Sequence, residues 1–398
     1  MPRTLTIVFV VVLVVLLPVQ ARCGSPYSAN GLGFMIPDDP GISRSLGGAG
    51  TALGGGVNMM RGNPALLATF KRASYSVSTM YDNINTDMDT PENPVHSKNN
   101  LSLLKFVLPM GKGIVMSWGL SPYSRTDVTI DLESKDKVAY NDIMTTKGGI
   151  NVSTFGISGS ALNRIYFGAS ANYHFGAIEE NWSRMFADSL NLHNKTDYLK
   201  KKFKGYSTTI GVMVIPVKKV YIGAGYTTQA NLDLNVVLHP GNPVDPEVPV
   251  YTRKVKLPST FRLGVASDIT EKLLVAADFT HEQWEDAAVS DKEKDMYSNS
   301  YRFGGGIRFL PSTRIGAPFL LKLPLSIGFK TGSLYHKSYP TGNKVTETAV
   351  TFGFEIPLMR NIGRLYNSFE YGVRGNKSDN GWEETFFSFG LSFVGTIL

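Results

Sequence analysis

The most distinctive residues of the chain lie in a glycine-rich, nearly uncharged stretch at positions 54–70, GGGVNMMRGNPALLATF. Glycine-rich loops cradle phosphates when a strand precedes them and a helix follows. No strand pattern precedes the Gly-Ala-Gly at positions 48–50, and no βαβ unit surrounds it. Asn-Pro-Ala also occurs in aquaporins, twice and among several membrane helices, whereas here it occurs once. Because Asn tolerates turn conformations and Pro fixes φ, Asn63-Pro64 predicts a turn instead.

Catalytic or metal chemistry finds little support in the chain. The six histidines are scattered, with no HExxH, no GxSxG and no paired metal-ligand spacing. Cys23 is the only cysteine, which excludes a disulfide framework and a cysteine-based metal site. His281-Glu282 beside Trp284 could belong to an outer-membrane hydrolase, although a rim histidine at a lipid interface is the favoured interpretation. We therefore expect a protein that is not an enzyme and that uses no cofactor and no metal.

The N-terminus and the charge narrow the class of protein. Residues 5–17 form one apolar run, too short to span a bilayer comfortably, and small residues follow; this predicts a secretory signal peptide over residues 1–21. No later window holds about 18 consecutive apolar residues, so the mature chain has no predicted transmembrane helix. The net charge is +7, but Lys and Arg are dispersed along an exported chain, which excludes a nucleic-acid partner.

From residue 73 onward the chain repeats alternating strands. Between positions 165 and 175 the odd residues are all apolar or aromatic and the even ones include Gly, Ser, Asn and His, so one face is oily and the other polar. The strands run about nine to fourteen residues, long enough for a tilted strand to cross a bilayer. Aromatic residues near strand ends predict an interfacial girdle, and they include Trp118, Tyr173, Tyr226 and Trp284.

These features predict an all-β fold, a closed transmembrane antiparallel β-barrel over residues 73–398, crossing a bacterial outer membrane many times. Closure is required because an open edge would leave backbone groups unpaired in lipid. Short and long connectors alternate, as in outer-membrane barrels. About fourteen strands are predicted, near 73–82, 100–108, 114–123, 149–160, 164–176, 206–215, 220–232, 253–267, 272–284, 299–310, 322–334, 346–356, 365–375 and 384–396.

Residues 22–72 precede the first strand and are predicted to form a separate element. They hold no long alternation and are rich in Gly, Pro and small residues, whereas a disordered tail should be more charged and less apolar. Such a segment fits best inside the barrel, as a hatch (plug) that packs closely against the wall. The residues expected to form this gate are Gly47, Gly48, Gly50, Asn63, Pro64 and Ala65.

Four segments together carry a family resemblance. They are SRSLGGAGTALGGG and RGNPALLATF in the predicted hatch, and GYSTTIGVMVIPVKKVYIGAGYTT and KLPSTFRLGVASDITEKLLVAADFTHEQWED in the predicted strands. On these motifs the chain resembles the FadL-type family of outer-membrane transporters for long-chain fatty acids and other hydrophobic compounds. The resemblance covers essentially the whole mature chain. It implies a fourteen-stranded barrel, plugged by its N-terminus, that passes hydrophobic molecules inward.

The resemblance also implies a lateral opening. In that family the ligand is caught by outer loops, held near the hatch and released sideways through a kinked third strand. The third predicted strand here contains Gly119 and Pro122. Pro donates nothing to the ladder and Gly fills no gap, so a local break is physically reasonable. The alternative is that Pro122 only ends the strand at the rim. The outer loops match nothing in the family, so the substrate does not carry over.

Many charged residues are predicted on the lumen face, where they avoid lipid. They are Lys254, Lys256, Arg262, Asp278, Glu282, Arg302, Arg308, Glu370 and Arg374. The four that could engage a ligand carboxylate, or guide it past the hatch, are Lys256, Arg262, Arg302 and Arg308. Alternatively these charges pair across the lumen and hold the hatch in place, and for any single residue this interpretation is favoured.

The predicted function is passive import of a hydrophobic small molecule, such as a long-chain fatty acid or an aromatic hydrocarbon. The expected partners are that ligand, membrane lipids and lipopolysaccharide, and the barrel-assembly machinery, with the protein itself a monomer. Two alternatives stay open. A general diffusion porin predicts steady ion conductance and no plug. A barrel partner or shuttle in a protein secretion system predicts stable association with other envelope proteins and no ligand uptake.

Overall fold

A computed structural model of the chain describes residues 24–29, 31–88, 95–133, 140–162, 164–186, 193–241, 246–288, 295–311, 323–338, 341–358 and 363–397. The predicted signal peptide lies outside these residues. Within them, no helix is both long enough and apolar enough to cross a membrane.

Antiparallel strands make up most of the described chain. They are β1 (Phe34–Met35), β2 (Ser74–Asp87), β3 (Val95–Gly111), β4 (Ile114–Pro122), β5 (Ser124–Glu133), β6 (Tyr140–Ala161), β7 (Ile165–Phe186), β8 (Lys195–Val214), β9 (Val220–Thr227), β10 (Ala230–Pro240), β11 (Val248–Leu257), β12 (Thr260–Thr270), β13 (Leu273–Glu282), β14 (Ser300–Phe309), β15 (Leu325–Lys337), β16 (Lys344–Leu358), β17 (Gly363–Gly375) and β18 (Glu383–Thr396). The short helices are α1 (Ile42–Ser45) and α2 (Lys377–Asn380), and 3₁₀ segments cover Pro26–Ser28, Pro64–Thr69 and Glu285–Ala287.

The strands β2 to β18 close into one barrel. Its wall has fourteen segments, each of one strand or of two successive strands, which we call staves. Each stave pairs antiparallel with the next, and β18 returns to β2 along Glu383↔Asp87 through Thr396↔Ser74. Three staves consist of two successive strands each, namely β4 with β5, β9 with β10, and β11 with β12. The predicted fold class and strand number are therefore confirmed. Closure leaves each strand paired on both sides over most of its length, as an apolar environment requires.

An apolar belt surrounds the barrel. Its outward-facing residues are large exposed hydrophobics, for example Ile210 and Val212 on β8, Leu263 and Val265 on β12, and Phe329 on β15. Soluble monomers rarely expose a contiguous apolar surface of this extent. The exposure pattern is that of a barrel whose wall faces lipid.

The aromatic girdle prediction holds for three of its four residues. Trp118, Tyr173 and Tyr226 are all more than one-third exposed. Trp284 is fully buried, so its assignment to the girdle was wrong. Its indole stacks on Tyr335 with ring centroids 4.1 Å apart, and its Nε1 donates to Glu282 Oε2 at 2.8 Å. The sequence placed Trp284 at a strand end, but the chain there turns over the lumen instead of facing lipid.

One side of the barrel is much taller than a membrane requires. β6 and β7 hold 22 residues each and β8 holds 20, whereas a tilted strand crosses a bilayer with about 9–11 residues. The two neighbouring staves also extend upward but invert their faces at matching breaks, at residues 228–229 and 258–259. Below the break Phe261 is exposed on the outer surface, and above it Leu232 and Leu257 are buried on the inner surface. The tall wall is therefore apolar inside.

The N-terminal segment, residues 24–72, packs against the inner face of the wall. At ten glycines of the wall, an added Cβ would lie less than 3 Å from an atom of this segment; they are Gly168, Gly211, Gly223, Gly225, Gly264, Gly304, Gly306, Gly328, Gly353 and Gly375. Real Cβ atoms do not come this close to non-bonded atoms, so glycine is required at these positions. Backbone-to-wall contact is the reason for the glycines that interrupt the inward faces of the strands.

Gly304→Ala is predicted to destabilise the protein by about 1–3 kcal/mol, the usual cost of overpacking. Its Cβ would lie 1.9 Å from the Gly47 carbonyl oxygen, so either the wall or the N-terminal segment must shift. The unfolding midpoint in detergent, followed by heat modifiability on gels, measures the effect. Gly305→Ala is the matched control, because the neighbouring Cβ would point to the other face, where the nearest atom is 3.2 Å away. Equal midpoints for the two variants would contradict the packing argument.

Candidate functional site

The Asn63 side chain is fully buried and makes three hydrogen bonds. Its Oδ1 accepts from the Ala65 backbone N–H at 3.1 Å, which caps the 3₁₀ segment Pro64–Thr69. Its Nδ2 donates to the carbonyl oxygens of Thr51 at 2.8 Å and of Val212 at 3.1 Å. Asn63 therefore joins two parts of the N-terminal segment to each other and to strand β8.

Pro64 extends this attachment to two more strands. Its carbonyl oxygen accepts a hydrogen bond from Ser158 Oγ on β6 at 2.7 Å. Gly168 on β7 faces the Pro64 backbone, and Gly211 on β8 faces the Asn63 side chain, and neither leaves room for a Cβ. The Asn-Pro-Ala motif is thus an anchor between the N-terminal segment and three adjacent wall strands.

The predicted glycines fix the middle of the N-terminal segment, at residues 47–50. Gly47 donates its N–H to Thr351 Oγ1 at 3.0 Å, and Gly50 donates its N–H to Asp278 Oδ2 at 2.8 Å. Gly47 has a φ of +69° and Gly48 a φ of +88°, the left-handed region that favours glycine. A Cβ at Gly48 would meet no atom closer than 3.8 Å, so backbone conformation, not space, sets its requirement.

Asp38 is a buried carboxylate that binds the backbone directly before the Asn-Pro-Ala motif. It accepts the backbone N–H groups of Arg61 at 3.0 Å and of Gly62 at 2.6 Å. Burial alone would raise the pKa of this carboxyl, but the positive charges of Arg61 and Arg262 and the bond from Arg61 outweigh it, and the pKa is lowered. Asp38 therefore stays ionised next to the arginines.

Of the predicted lumen charges, Arg262 and Arg302 border a common cavity of about 640 Å³, open parts included. Among the described residues Arg302 makes no hydrogen bond or ion pair, and the contact of Arg262 with Thr280 is long, at 3.5 Å. Glu282 lines the same cavity, but it already accepts from Ser300 and Trp284. Two guanidinium groups with unused donors thus face the space beside the N-terminal segment.

Lys254 and Lys256 do not face the lumen, so their predicted orientation was wrong. Lys256 lies opposite Asn231 on β10, on the face away from the buried side chains of Val255 and Leu257. The physical reason is the break at residues 258–259. It shifts the alternation by one residue, so odd-numbered side chains face inward in β11 and even-numbered ones in β12. A continuous strand would have put Lys256 on the same face as Arg262.

Arg308 faces inward as predicted, but it is neutralised. It bonds Glu355 Oε2 at 2.5 Å, and both side chains are buried. Glu370 and Arg374 also face inward and belong to a second buried network, whose contacts are Lys330–Glu370 at 2.5 Å, Lys330–Glu347 at 3.2 Å, Arg374–Glu347 at 2.7 Å and Arg374–Glu384 at 2.6 Å. Charges paired in this way are neutralised by their partners, so they hold structure and attract a ligand carboxylate less.

The buried network borders a larger cavity of about 1270 Å³, open parts included. The N-terminal segment contributes Phe34, Met35 and Pro37 to its lining, and the wall contributes Arg125 and Arg302. Arg302, Glu282 and the backbone around Met35 line both this cavity and the smaller one. The two cavities therefore meet at the N-terminal segment.

The third stave is interrupted where Pro122 ends β4. The strand is interrupted at Tyr123 only, and the stave continues as β5. The alternative that Pro122 ends the strand at the rim is therefore wrong. The ladder between β3 and β4 ends at Leu104↔Leu120, and β5 pairs with β1 at Phe34↔Arg125. Along this part of the wall, the N-terminal segment takes the place that β3 would occupy.

A third cavity lies at this interruption. Its volume is about 270 Å³, and Leu103 of β3, Pro122 of β4 and Asp38 of the N-terminal segment line it. Gly119 lies inside β4, paired with Lys105 of β3, so it does not form the break. The residue that does is Tyr123, which packs edge-on against His174 with ring centroids 5.3 Å apart.

Several residues of the site were missed by sequence reasoning. Arg61 lies over the Tyr123 ring at 5.6 Å and donates to Ser121 Oγ at 3.1 Å. Arg125 donates to Asn151 Oδ1 at 2.8 Å and faces the large cavity. Asp38 is the only one with a sequence signal, as an acid in an otherwise apolar segment. The break between β4 and β5 brings Arg125 to the lumen, and Arg61 lies there as part of the N-terminal segment.

The fold and these contacts define a class of protein. The chain has the architecture of FadL-type barrels: a FadL homologue of Pseudomonas aeruginosa superposes with a TM-score of 0.61 at 12% identity, over 92% of this chain and 99% of that one. The toluene transporter TodX of Pseudomonas putida gives 0.57 at 14% identity, over 91% and 98%. The monoaromatic hydrocarbon channel CymD gives 0.57 at 15% identity, over 93% and 99%.

The sequence assigns the family. The profile of the BamG family matches residues 1–394, and the chain belongs to that family. No curated protein matches the chain at a significant level. At 12–15% identity the solved structures establish the fold that this chain shares with them.

Asp38→Asn is predicted to lower the free energy of unfolding by about 1–3 kcal/mol at pH 7, because the amide loses the charge that the two N–H groups and the arginines stabilise. Since the pKa of Asp38 is held below its ordinary value of 3.8, this stabilisation is present above that value and is lost as the pH falls through the lower folded pKa. The difference between the wild-type protein and the variant should therefore shrink below pH 3.8. Urea unfolding in detergent across this pH range measures it. Asp131→Asn, at an exposed position of β5, is the control, and the same pH dependence there would contradict the assignment to Asp38.

Proposed function

We propose that the protein imports an amphipathic, carboxylate-bearing hydrophobic molecule, of the long-chain fatty acid class, across a bacterial outer membrane. The observation that carries the proposal is the smaller cavity. Leu257 and Ala230, from the apolar inner face of the tall wall, border the same space as Arg262 and Arg302. An acyl chain fits the apolar side, and the two guanidinium groups suit the carboxylate.

The route begins at the outer mouth. The tall wall and the chain over it bury one apolar cluster, which includes Leu232, Leu234, Trp284 and Tyr335. An apolar chain can be drawn from the lipopolysaccharide layer into such a surface at low cost, whereas a water-filled pore would offer it no gain. The cluster meets the smaller cavity at Leu257 and Ala230, which places the arginines at its inner end.

The exit is proposed at the interruption of the third stave. There β3 and β5 are separated, and residues 34–35 pair with β5 in their place. The ligand would leave through the small cavity between Leu103 and Pro122 into the membrane plane. In this role residues 22–72 are the hatch, Gly47, Gly48 and Gly50 hold its middle part against β13 and β16, and Asn63-Pro64-Ala65 is its fixed anchor.

The protein acts as a monomer without a cofactor, is inserted by the barrel-assembly machinery, and contacts membrane lipids and lipopolysaccharide. The solved neighbours whose names mention toluene and monoaromatic hydrocarbons make an aromatic cargo the competing substrate class. The unused arginine donors favour the carboxylate, since an aromatic hydrocarbon would leave them unpaired.

Deletion of residues 47–70 is predicted to convert a tight barrel into a leaky one. The deleted residues fill the space between β6, β8 and β14, so ions gain a path when they are removed. Single-channel conductance in planar bilayers measures the change, with the full-length barrel as reference. Equal conductance before and after deletion would count against the plug. Steady, large conductance of the full-length barrel would favour a general porin.

Cells that lack their own transporter are predicted to take up labelled oleate when they produce this protein. Arg262→Gln with Arg302→Gln should reduce oleate uptake about tenfold, since a charge-assisted hydrogen bond contributes about 1.5–3 kcal/mol. Uptake of labelled toluene, which has no carboxylate, should not change in the same variant. Arg184→Gln is the control, because Arg184 is exposed far up the wall.

Each outcome of the uptake experiment has a separate meaning. Toluene uptake without oleate uptake would make the substrate class wrong and keep the transporter. Oleate uptake that is unaffected in the double variant would remove the two arginines from the site. Uptake of neither compound, with a folded barrel at the cell surface, would refute the transporter and favour the porin or the secretion partner.

A further inference from the structure

The outer surface of the tall wall changes character abruptly above the apolar belt. The belt ends at a staggered row of two exposed cross-strand pairs, Tyr173 with Tyr206 on β7 and β8, and Tyr226 with Phe261 on β9 and β12. Tyr206 is the most exposed, at 71%, and its ring lies 4.9 Å from that of Tyr173 between centroids. Rows of aromatic residues at the ends of an apolar belt lie at the level of lipid headgroups. These strands continue toward the long connections, which in outer-membrane barrels are extracellular, so the row marks the outer leaflet.

Three lysines lie at the Tyr206 end of that row, Lys256 level with Tyr206 and the other two directly above it. In the register of the sheet, Lys204 on β8, Asp233 on β10 and Lys254 on β11 stand side by side. The next row toward the membrane holds Tyr206, Asn231 and Lys256. Side chains directly opposite on adjacent strands have Cβ atoms about 4.5–5.5 Å apart. Three ammonium groups are therefore gathered around one carboxylate, in what we call the lysine cluster: Lys204, Lys254 and Lys256.

The excess of positive charge is confined to this level. Farther up the same face, Lys200 pairs with Glu179 at 2.7 Å and Lys202 with Glu247 at 2.6 Å. Within the described part of the chain, no residue of the lysine cluster makes an ion pair, and the single Asp233 cannot neutralise all three. Neighbouring like charges repel each other, so the cluster costs stability unless an anion binds there.

The depth of the cluster indicates which anion. The outer leaflet of a bacterial outer membrane consists of lipopolysaccharide, whose lipid moiety carries phosphate groups on its sugars at headgroup level. Lysine binds phosphate as a compact point charge. The hydroxyl of Tyr206 and the amide of Asn231 lie beside Lys256, in the row below Lys204 and Lys254, where they can bond sugar hydroxyls. The acyl chains would lie against Ile210 and Leu263 of the belt below.

We propose that the lysine cluster, with Tyr206 and Asn231, is a binding site for the phosphorylated headgroup of a lipopolysaccharide molecule on the outside of the barrel. The site follows from the two strand breaks, because they turn Lys254 and Lys256 from the lumen to the outer surface at this level. It depends on the protein lying in an outer membrane, but it does not depend on what the barrel transports.

The test compares binding of phosphorylated and dephosphorylated lipid A to the purified full-length protein. Native mass spectrometry in a mild detergent counts bound lipid molecules, and titration gives their affinity. We expect the phosphorylated lipid to bind, and the triple variant Lys204→Gln, Lys254→Gln, Lys256→Gln to bind it at least about tenfold more weakly, because each lysine near an anionic surface contributes about 1 kcal/mol.

The matched control is Lys112→Gln, Lys218→Gln, Lys272→Gln, which removes the same charge from exposed positions at the short-turn end of the barrel. It should bind the lipid as the wild-type protein does. Equal weakening in both triple variants, or equal binding of dephosphorylated lipid A, would overturn the proposal. Equal affinity for phosphatidylglycerol would also overturn it, since the site would then recognise any anionic lipid. A triple variant that keeps its heat modifiability shows that loss of binding is not loss of fold.

Discussion

The structure depends on contact between one stretch of backbone and a closed wall. A barrel in lipid must pair every strand, and closing fourteen staves leaves an interior too wide for wall side chains alone to fill. Residues 24–72 fill it, and they reach the wall because ten wall positions that face them are glycine. The hydrogen bonds of Asn63, Asp38 and Asp278 then satisfy backbone and side-chain groups that lie away from water. The cavities are the parts of the interior that this packing leaves unfilled.

Charge inside the barrel serves two different ends. Arg308, Lys330 and Arg374 are each bonded to buried carboxylates, so they stabilise the arrangement of wall and N-terminal segment. Removing one partner of such a pair would leave an uncompensated buried charge. Arg262 and Arg302 differ because their donors are largely unused among the described residues. A ligand carboxylate can therefore bind at Arg262 and Arg302, whereas protein carboxylates already occupy the other three cations.

Breaks in the strands decide where side chains point. At residues 228–229 and 258–259 the alternation gains one position, which makes the upper wall apolar inside and basic outside. Before Tyr123 the pairing of β4 with β3 ends, and beyond it β5 pairs with residues 34–35 of the N-terminal segment. An extra residue in an antiparallel ladder reverses the face of everything beyond it, so these three irregularities control the mouth, the lysine cluster and the proposed exit.

The sequence by itself determined the class of fold, the number of staves and the place of the glycine-rich segment. Alternation over strands of this length has only one low-energy arrangement in lipid, and the run from Gly47 to Asn63 has too little charge to stay in water. It could not determine which face Lys254, Lys256 and Trp284 occupy, nor that Arg308 is paired while Arg302 is not. Those outcomes depend on strand register, and a shift of one residue, which local sequence barely specifies, exchanges inside for outside. Only the closed tertiary structure, in which every strand fixes the register of its neighbours, settled them.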